Sequence, residues 1–218
     1  MPSAAAGNYN RARVKISAVC FDLGKVLLDF DWTEMLACVA RKSPLTPDEI
    51  RQRIFTDNEV LGYERGAITT AKFFSHLKKR LEYKGPAKEL RTAFNGIFTP
   101  LTENIALAAL LAPHYPLAII SNTNDAHITH AESAYSFFTL FPARIYSHQV
   151  GAMKPQREIY DRAREAVGHP DPTEILFIDD LEANILGAVQ LGWQTIHLRP
   201  DVNLRQALAS YELRGLDL

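Results

Sequence analysis

Cysteine is scarce in this chain, with two among 218 residues, Cys20 and Cys38. Two thiols cannot build a disulfide framework, and they suit a reducing compartment. Cys20 lies inside an apolar run, where a packed core thiol is expected. An excess of either charge is also missing. Lys and Arg number 24 against 25 Asp and Glu, which leaves no basic field to attract nucleic acid or an anionic membrane. No apolar stretch approaches the roughly 18 residues of a membrane span. The opening MPSAAAGNYNRARVKIS has no apolar segment of signal-peptide length, and residues 1–13 read as a flexible tail. Repeats and low-complexity tracts are lacking too. Together these absences predict a soluble, cytoplasmic protein that acts on neither nucleic acid nor membrane.

What is present is a rhythm. Five short apolar stretches, at 14–21, 116–121, 143–147, 174–179 and 194–198, read as strands. Segments 103–112, 124–136, 155–167 and 181–191 carry apolar residues at three- and four-residue spacing and read as helices. Such alternation implies a parallel sheet with helices on both faces, a doubly wound α/β fold. Residues 32–99 break the rhythm, with helix signals and no convincing strand. Thr46-Pro47-Asp48-Glu49 is a capping box with proline at the first helical position. Thr69 or Thr70 can cap a helix whose Phe73, Leu77 and Leu81 form an apolar stripe, and Gly85-Pro86 ends it. The expected organisation is an α/β core from 14–31 and 100–218, interrupted by a helical cap at 32–99.

The polar residues fall where such a sheet puts its chemistry. The stretch AVCFDLGKVLLDFD (18–31) runs from an apolar strand directly into Asp22. The second strand ends in Ser121-Asn122-Thr123-Asn124, the third leads to Gly151-Ala152-Met153-Lys154-Pro155, and the fourth ends in Asp179-Asp180. Open α/β sheets bind ligands at the carboxyl ends of their strands. Three carboxylates close together are costly unless a cation binds. Oxygen ligands with no His or Cys nearby favour Mg²⁺. Ser121, Asn122, helix-start amides and Lys154 offer donors and a positive charge for a tetrahedral anion. A carboxylate between such groups can attack phosphorus and split hydrolysis into two steps.

In order and composition, FDLGKVLLDFD, ISNTN, VGAMKP and IDDLEANILGA resemble the four motifs of the haloacid dehalogenase (HAD) superfamily, over nearly the whole chain from about residue 14. They look most like a bacterial branch, within the subfamily bearing a helical cap, that includes a glucose-1-phosphate phosphatase. The resemblance implies a nucleophilic Asp22 that also binds metal, with the Gly24 carbonyl, Asp180 and Asp179 completing a Mg²⁺ site. It makes Ser121 and Asn122 the holders of the phosphoryl group and Lys154 the residue that neutralises its charge. Tyr63-Glu64-Arg65-Gly66 resembles the substrate-specificity loop of the cap, so Glu64 and Arg65, with Lys25 and Asn124, are candidates for contact with a small phosphorylated metabolite, a sugar phosphate first.

One position departs from the pattern. Phosphatases of this superfamily carry a second Asp two residues after the nucleophile, which protonates the leaving alcohol and then activates water. Here that position is Gly24. Three readings follow: a phosphatase in which water or another acid, Asp29 or Asp31 among them, moves the proton; a dehalogenase, which needs neither that Asp nor a metal; or a binder of phosphorylated ligands without turnover. The Asp179-Asp180 pair argues against the dehalogenase. His127 and His130 read as a surface pair rather than a metal site, His148 as a turn or substrate residue, and Phe137, Phe138 and Phe141 as packing in core or cap rather than as a ligand cage.

Overall fold

The computed structural model describes residues 15–216, so the tail expected at 1–13 lies outside the described residues. The chain forms β1 (Ala18–Phe21) and β2 (Leu28–Phe30), then five helices, α1 (Thr33–Ala40), α2 (Pro47–Phe55), α3 (Asn58–Glu64), α4 (Thr70–Arg80) and α5 (Ala87–Asn95). It returns through β3 (Phe98–Pro100) and then alternates: α6 (Thr102–Leu111), β4 (Leu117–Ser121), α7 (Asp125–Ala134), β5 (Ala143–Tyr146), the single turn α8 (Ser147–Val150), α9 (Arg157–Ala166), β6 (Ile175–Asp179), α10 (Glu182–Gln190), β7 (Gln194–His197) and α11 (Leu204–Ala209).

The main sheet is parallel throughout, in the order β5-β4-β1-β6-β7. Every residue of β1, β4 and β6 is buried, as it must be when helices cover both faces of a parallel sheet. Side chains alternate strictly between those faces. Val19, Phe21, Ile119, Leu176 and Ile178 enter one apolar cluster, which also holds Phe137, Phe138 and Phe141. Ala18, Cys20, Ala118, Ile120 and Phe177 enter the other. Cys20 is thus a core thiol, and burial pushes it up to about 12, away from the reactive thiolate. β1 has β4 on one side and β6 on the other, so the strand order reverses about β1. The carboxyl ends of the three strands lie side by side at that switch point, where open sheets bind ligands.

Helices α1–α5 assemble around an apolar cluster of their own, including Met35, Ile50, Tyr63, Phe73, Leu77 and Phe94. The capping box is formed: Thr46 accepts from the Glu49 N–H, and the Glu49 carboxylate accepts from the Thr46 N–H at 2.8 Å. Thr69, rather than Thr70, caps α4, and Phe73, Leu77 and Leu81 are wholly buried. Two expectations need correction. Gly85-Pro86 does not end α4, which stops at Arg80 with Glu82 in the left-handed region (φ 49°); Pro86 instead opens α5. The segment is also bracketed by strands: β2 and β3 pair antiparallel. Three residues each, they are too short to show a period of two, and their pairing closes a loop that spans the whole helical segment. No helix of the described residues is long and apolar enough to cross a membrane.

Candidate active site

β1 delivers Asp22 to the switch point. Its Oδ1 accepts from the Leu23 N–H at 2.7 Å and lies 2.7 Å from Lys154 Nζ, whereas Oδ2 has no hydrogen bond to any described residue. Lys154 Nζ also donates to Asp179 Oδ2 at 2.6 Å, with its side chain only 1% exposed. Asp179, at the end of β6, accepts further from the Leu181 N–H and Asn184 Nδ2, so both its oxygens are occupied. The Asp180 carboxylate has no hydrogen bond to any other described residue, and its pKa is raised by burial and then by Asp179. Oxygens of Asp22, Asp179 and Asp180 lie within 4.8 Å of one another.

Electrostatics makes this cluster unusual. Burial pushes Asp22 up to about 7, with Lys154 pulling down and Asp179 pushing up. Burial opposes the charge of Lys154, yet Asp22 and Asp179 keep its pKa raised. One ammonium against three carboxylates leaves a negative excess in a mostly buried place, which a divalent cation would offset. The donors are oxygens only, and the Gly24 carbonyl beside them accepts no hydrogen bond from the described residues. This is the donor chemistry of Mg²⁺.

Ser121, at the end of β4, is 4% exposed, and its hydroxyl has no partner among the described residues. The Asn122 side chain is tied to the main chain of Lys154 in both directions: Nδ2 donates to the Lys154 carbonyl at 2.9 Å, and Oδ1 accepts from the Lys154 N–H at 2.7 Å. This lock presents the Lys154 ammonium to Asp22. What Asn122 retains as donors is its main-chain N–H and the second Nδ2 hydrogen.

Above these groups opens a cavity of about 210 Å³. Leu23, Gly24, Ser121 and Asn122 form its floor, and Phe30, Trp32, Phe55 and Phe98 give aromatic walls. Glu64 and His127 are the titratable wall residues. Burial pushes Glu64 up to about 7, with no other influence. His127 is the opposite case, lowered by burial to about 3. Its Nε2 faces the Phe94 carbonyl at 3.1 Å and so carries the proton, while Nδ1 accepts from Asn124 Nδ2. The imidazole stacks on Phe94 with centroids 4.3 Å apart, so it is a neutral strut between α5 and α7. The surface pair expected of His127 and His130 is therefore corrected: His127 is buried.

Several residues expected at the substrate have other partners or positions in the fold. Asn124 caps α7, its Oδ1 accepting from the His127 N–H, and both its polar groups are used. Lys25 pairs with Asp29, donates to the Phe30 carbonyl at 3.2 Å and sits over the Phe30 ring; it reaches the carboxylate cluster only as a weak pull on Asp180. Asp29 is held ionised by Lys25, and Asp31 by its hydrogen bonds with Thr33, so neither is poised to give up a proton. Arg65 is exposed at the end of α3. His148 is outside the cavity walls, and its main-chain oxygen packs against Gly66. The aromatic walls, the His127 strut and the buried Ser147 escaped the sequence reading. For His127 a signal existed in the spacing Asn124-x-x-His127 at a helix start.

Comparison with known proteins agrees with this geometry. The family model described as haloacid dehalogenase-like hydrolase matches residues 16–192. D-ribitol-5-phosphate phosphatase of Bacteroides thetaiotaomicron is 24% identical over 200 residues, which cover 88% of this chain and 97% of that protein. Pyrimidine 5'-nucleotidase YjjG of Escherichia coli is 29% identical over 144 residues, 62% of this chain, and the match spans 64% of the nucleotidase's length. A HAD family enzyme of B. thetaiotaomicron, solved in complex with magnesium and inorganic phosphate, superposes with a TM-score of 0.78 at 26% identity, covering 88% of this chain and 98% of its own.

Proposed function

The chain belongs to the haloacid dehalogenase-like hydrolases, and from that premise we propose that it is a Mg²⁺-dependent phosphatase acting on a small phosphomonoester through an aspartyl-phosphate on Asp22. One observation carries the reading: a buried ammonium, Lys154, bridges Asp22 and Asp179 below a cavity floored by the unpartnered hydroxyl of Ser121.

Each residue then has a task. The Leu23 N–H and Lys154 hold Oδ1 of Asp22, which leaves Oδ2 to attack phosphorus. The Ser121 hydroxyl and the Asn122 N–H hold phosphoryl oxygens, and Lys154 offsets the charge that develops on them. Asp22, the Gly24 carbonyl and Asp180 would ligate Mg²⁺, while Asp179, its oxygens already occupied, orients Lys154 and Asn184. When bound, Mg²⁺ offsets negative charge so that a carboxylate and a phosphate can approach. Residues 32–99 serve as the cap domain over a core of 14–31 and 100–218, closing over substrate and excluding water.

A sugar or polyol phosphate fits best. The cavity is small, and aromatic faces such as Trp32 and Phe98 suit the C–H faces of a carbohydrate. The B. thetaiotaomicron relative named for D-ribitol 5-phosphate supports the same class. The free thiols Cys20 and Cys38 suit a cytoplasmic setting.

Gly24 favours a second reading, a binder of phosphorylated ligands that does not turn over. Phosphate release from a panel of sugar, polyol and nucleoside phosphates separates the two. Release that needs Mg²⁺ and stops with chelator supports the phosphatase. A rise in Tm with ligand and Mg²⁺, without release, supports the binder.

A further inference from the structure

We infer that Glu64, supplied by the helical segment, is the proton-transfer residue of this active site and takes over the work that Gly24 cannot do. The inference rests on the phosphatase reading above. In the first step Oδ2 of Asp22 bonds to phosphorus, the bond from phosphorus to the leaving oxygen breaks, and the Glu64 carboxyl gives that oxygen its proton. In the second step the Glu64 carboxylate takes a proton from water, the water oxygen bonds to phosphorus, and the phosphorus–Asp22 bond breaks to release phosphate.

Three observations converge on Glu64. It is the one acidic side chain among the cavity walls, in a space small enough for a single substrate to touch both it and Ser121. Its carboxylate has no hydrogen bond or ion pair to any described residue, so nothing in the fold consumes it. Its main chain is nevertheless pinned: Ser147 Oγ donates to the Glu64 carbonyl at 2.6 Å, and two residues on, Gly66 (φ 72°) lies directly against the main-chain oxygen of His148. A carboxylate at the C-terminal end of a helix gains nothing from the helix dipole, so its place on α3 is not explained by stability.

The other acids and bases are spoken for. Asp29 and Asp31 are held ionised outside the walls, both nitrogens of His127 are engaged, and Asp180 belongs to the carboxylate cluster. The other titratable residue of the cavity walls is His127 on α7, while Tyr63 and Arg65 adjoin Glu64 in the chain and His148 lies beside Gly66. None of them pairs with it. Burial alone holds its proton near neutral pH, where an acid that must also act as a base works best.

The test uses the full-length protein and Glu64→Gln with two substrates, 4-nitrophenyl phosphate and ribitol 5-phosphate. The aryl leaving group departs without a proton, and the alkyl one does not. We expect kcat for ribitol 5-phosphate to fall about 10²–10⁴-fold with KM little changed, while aryl turnover drops less than about tenfold in its first step. A fall of kcat/KM above about pH 7 is expected for wild type; it should vanish in Glu64→Gln and persist in Glu64→Asp. Preserved aryl cleavage shows that the variant is folded. Equal losses in the first step on both substrates, or no loss on either, would overturn the role of Glu64 alone. A wild-type protein that releases phosphate from neither compound would overturn the phosphatase reading and this inference with it.

Discussion

The hydroxyl of Ser147 donates to the main-chain carbonyl of Glu64 at 2.6 Å. Ser147 stands at the start of α8 on the core side, and Glu64 closes α3 in the helical segment. The same Ser147 oxygen accepts from the Thr123 N–H at 2.9 Å, two residues past Ser121. A single buried hydroxyl thus ties the wall that carries Glu64 to the loop that carries Ser121 and Asn122. The position of the helical segment over the site is thereby coupled to the geometry of the site itself.

Gly66→Ala should break that coupling. A Cβ at Gly66 would lie 2.0 Å from the His148 main-chain oxygen, on a backbone with φ 72°. We expect a loss of more than about 1 kcal/mol together with a fall in turnover, read by urea denaturation and phosphate release. Gly151→Ala is the control: it has a similar φ of 77° with open space around the Cβ. Its cost should be confined to stability.

Lys154→Met leaves Asp22 and Asp179 buried without their shared cation. Removing one partner of a buried ion pair costs about 3–5 kcal/mol, and that loss is expected in chelator by urea denaturation. Added Mg²⁺ should raise the Tm of the variant more than that of wild type, because the site then carries a larger uncompensated negative charge. Equal stability of variant and wild type in chelator would contradict the proposed electrostatics.

Glu64 predicts a pH dependence of stability with a definite sign. Its pKa is raised from 4.5 to about 7 on folding, so between those values the folded chain holds a proton that the unfolded chain has lost. Stability contributed by this group is therefore full below about pH 4.5, declines as pH rises to about 7, and is flat beyond. Glu64→Gln removes the decline. The stability of the variant relative to wild type should grow by on the order of 3 kcal/mol between about pH 4 and about pH 8, measured by denaturation in chelator at each pH.

Much of this was legible in the sequence for a physical reason. Central strands of a parallel sheet are buried on both faces, so β1, β4 and β6 are unbroken apolar runs. Parallel strands also bring their carboxyl ends to one edge, so the residues just after those runs, Asp22, Ser121 and Asp179, had to meet. What stayed hidden depends on direction and on distant pairing. Asn124 looked like a ligand because helix caps and anion sites use the same residue types. Lys25 looked free because its partner Asp29 lies across a turn. Glu64 and Arg65 were equivalent as neighbours in the chain, yet the fold brings Glu64 to the cavity wall and leaves Arg65 exposed. The aromatic walls come from both ends and the middle of the helical segment, and no local pattern announces that they converge.

The most direct test of Asp22 as nucleophile is chemical trapping of the phosphoenzyme. Wild-type protein turning over ribitol 5-phosphate with Mg²⁺ is quenched, reduced with borohydride, which converts an aspartyl-phosphate to homoserine, and mapped by mass spectrometry. Homoserine at position 22, lost in Asp22→Asn along with phosphate release, is the predicted result. Phosphate release that survives in Asp22→Asn, or a reduced residue at any other position, would contradict it.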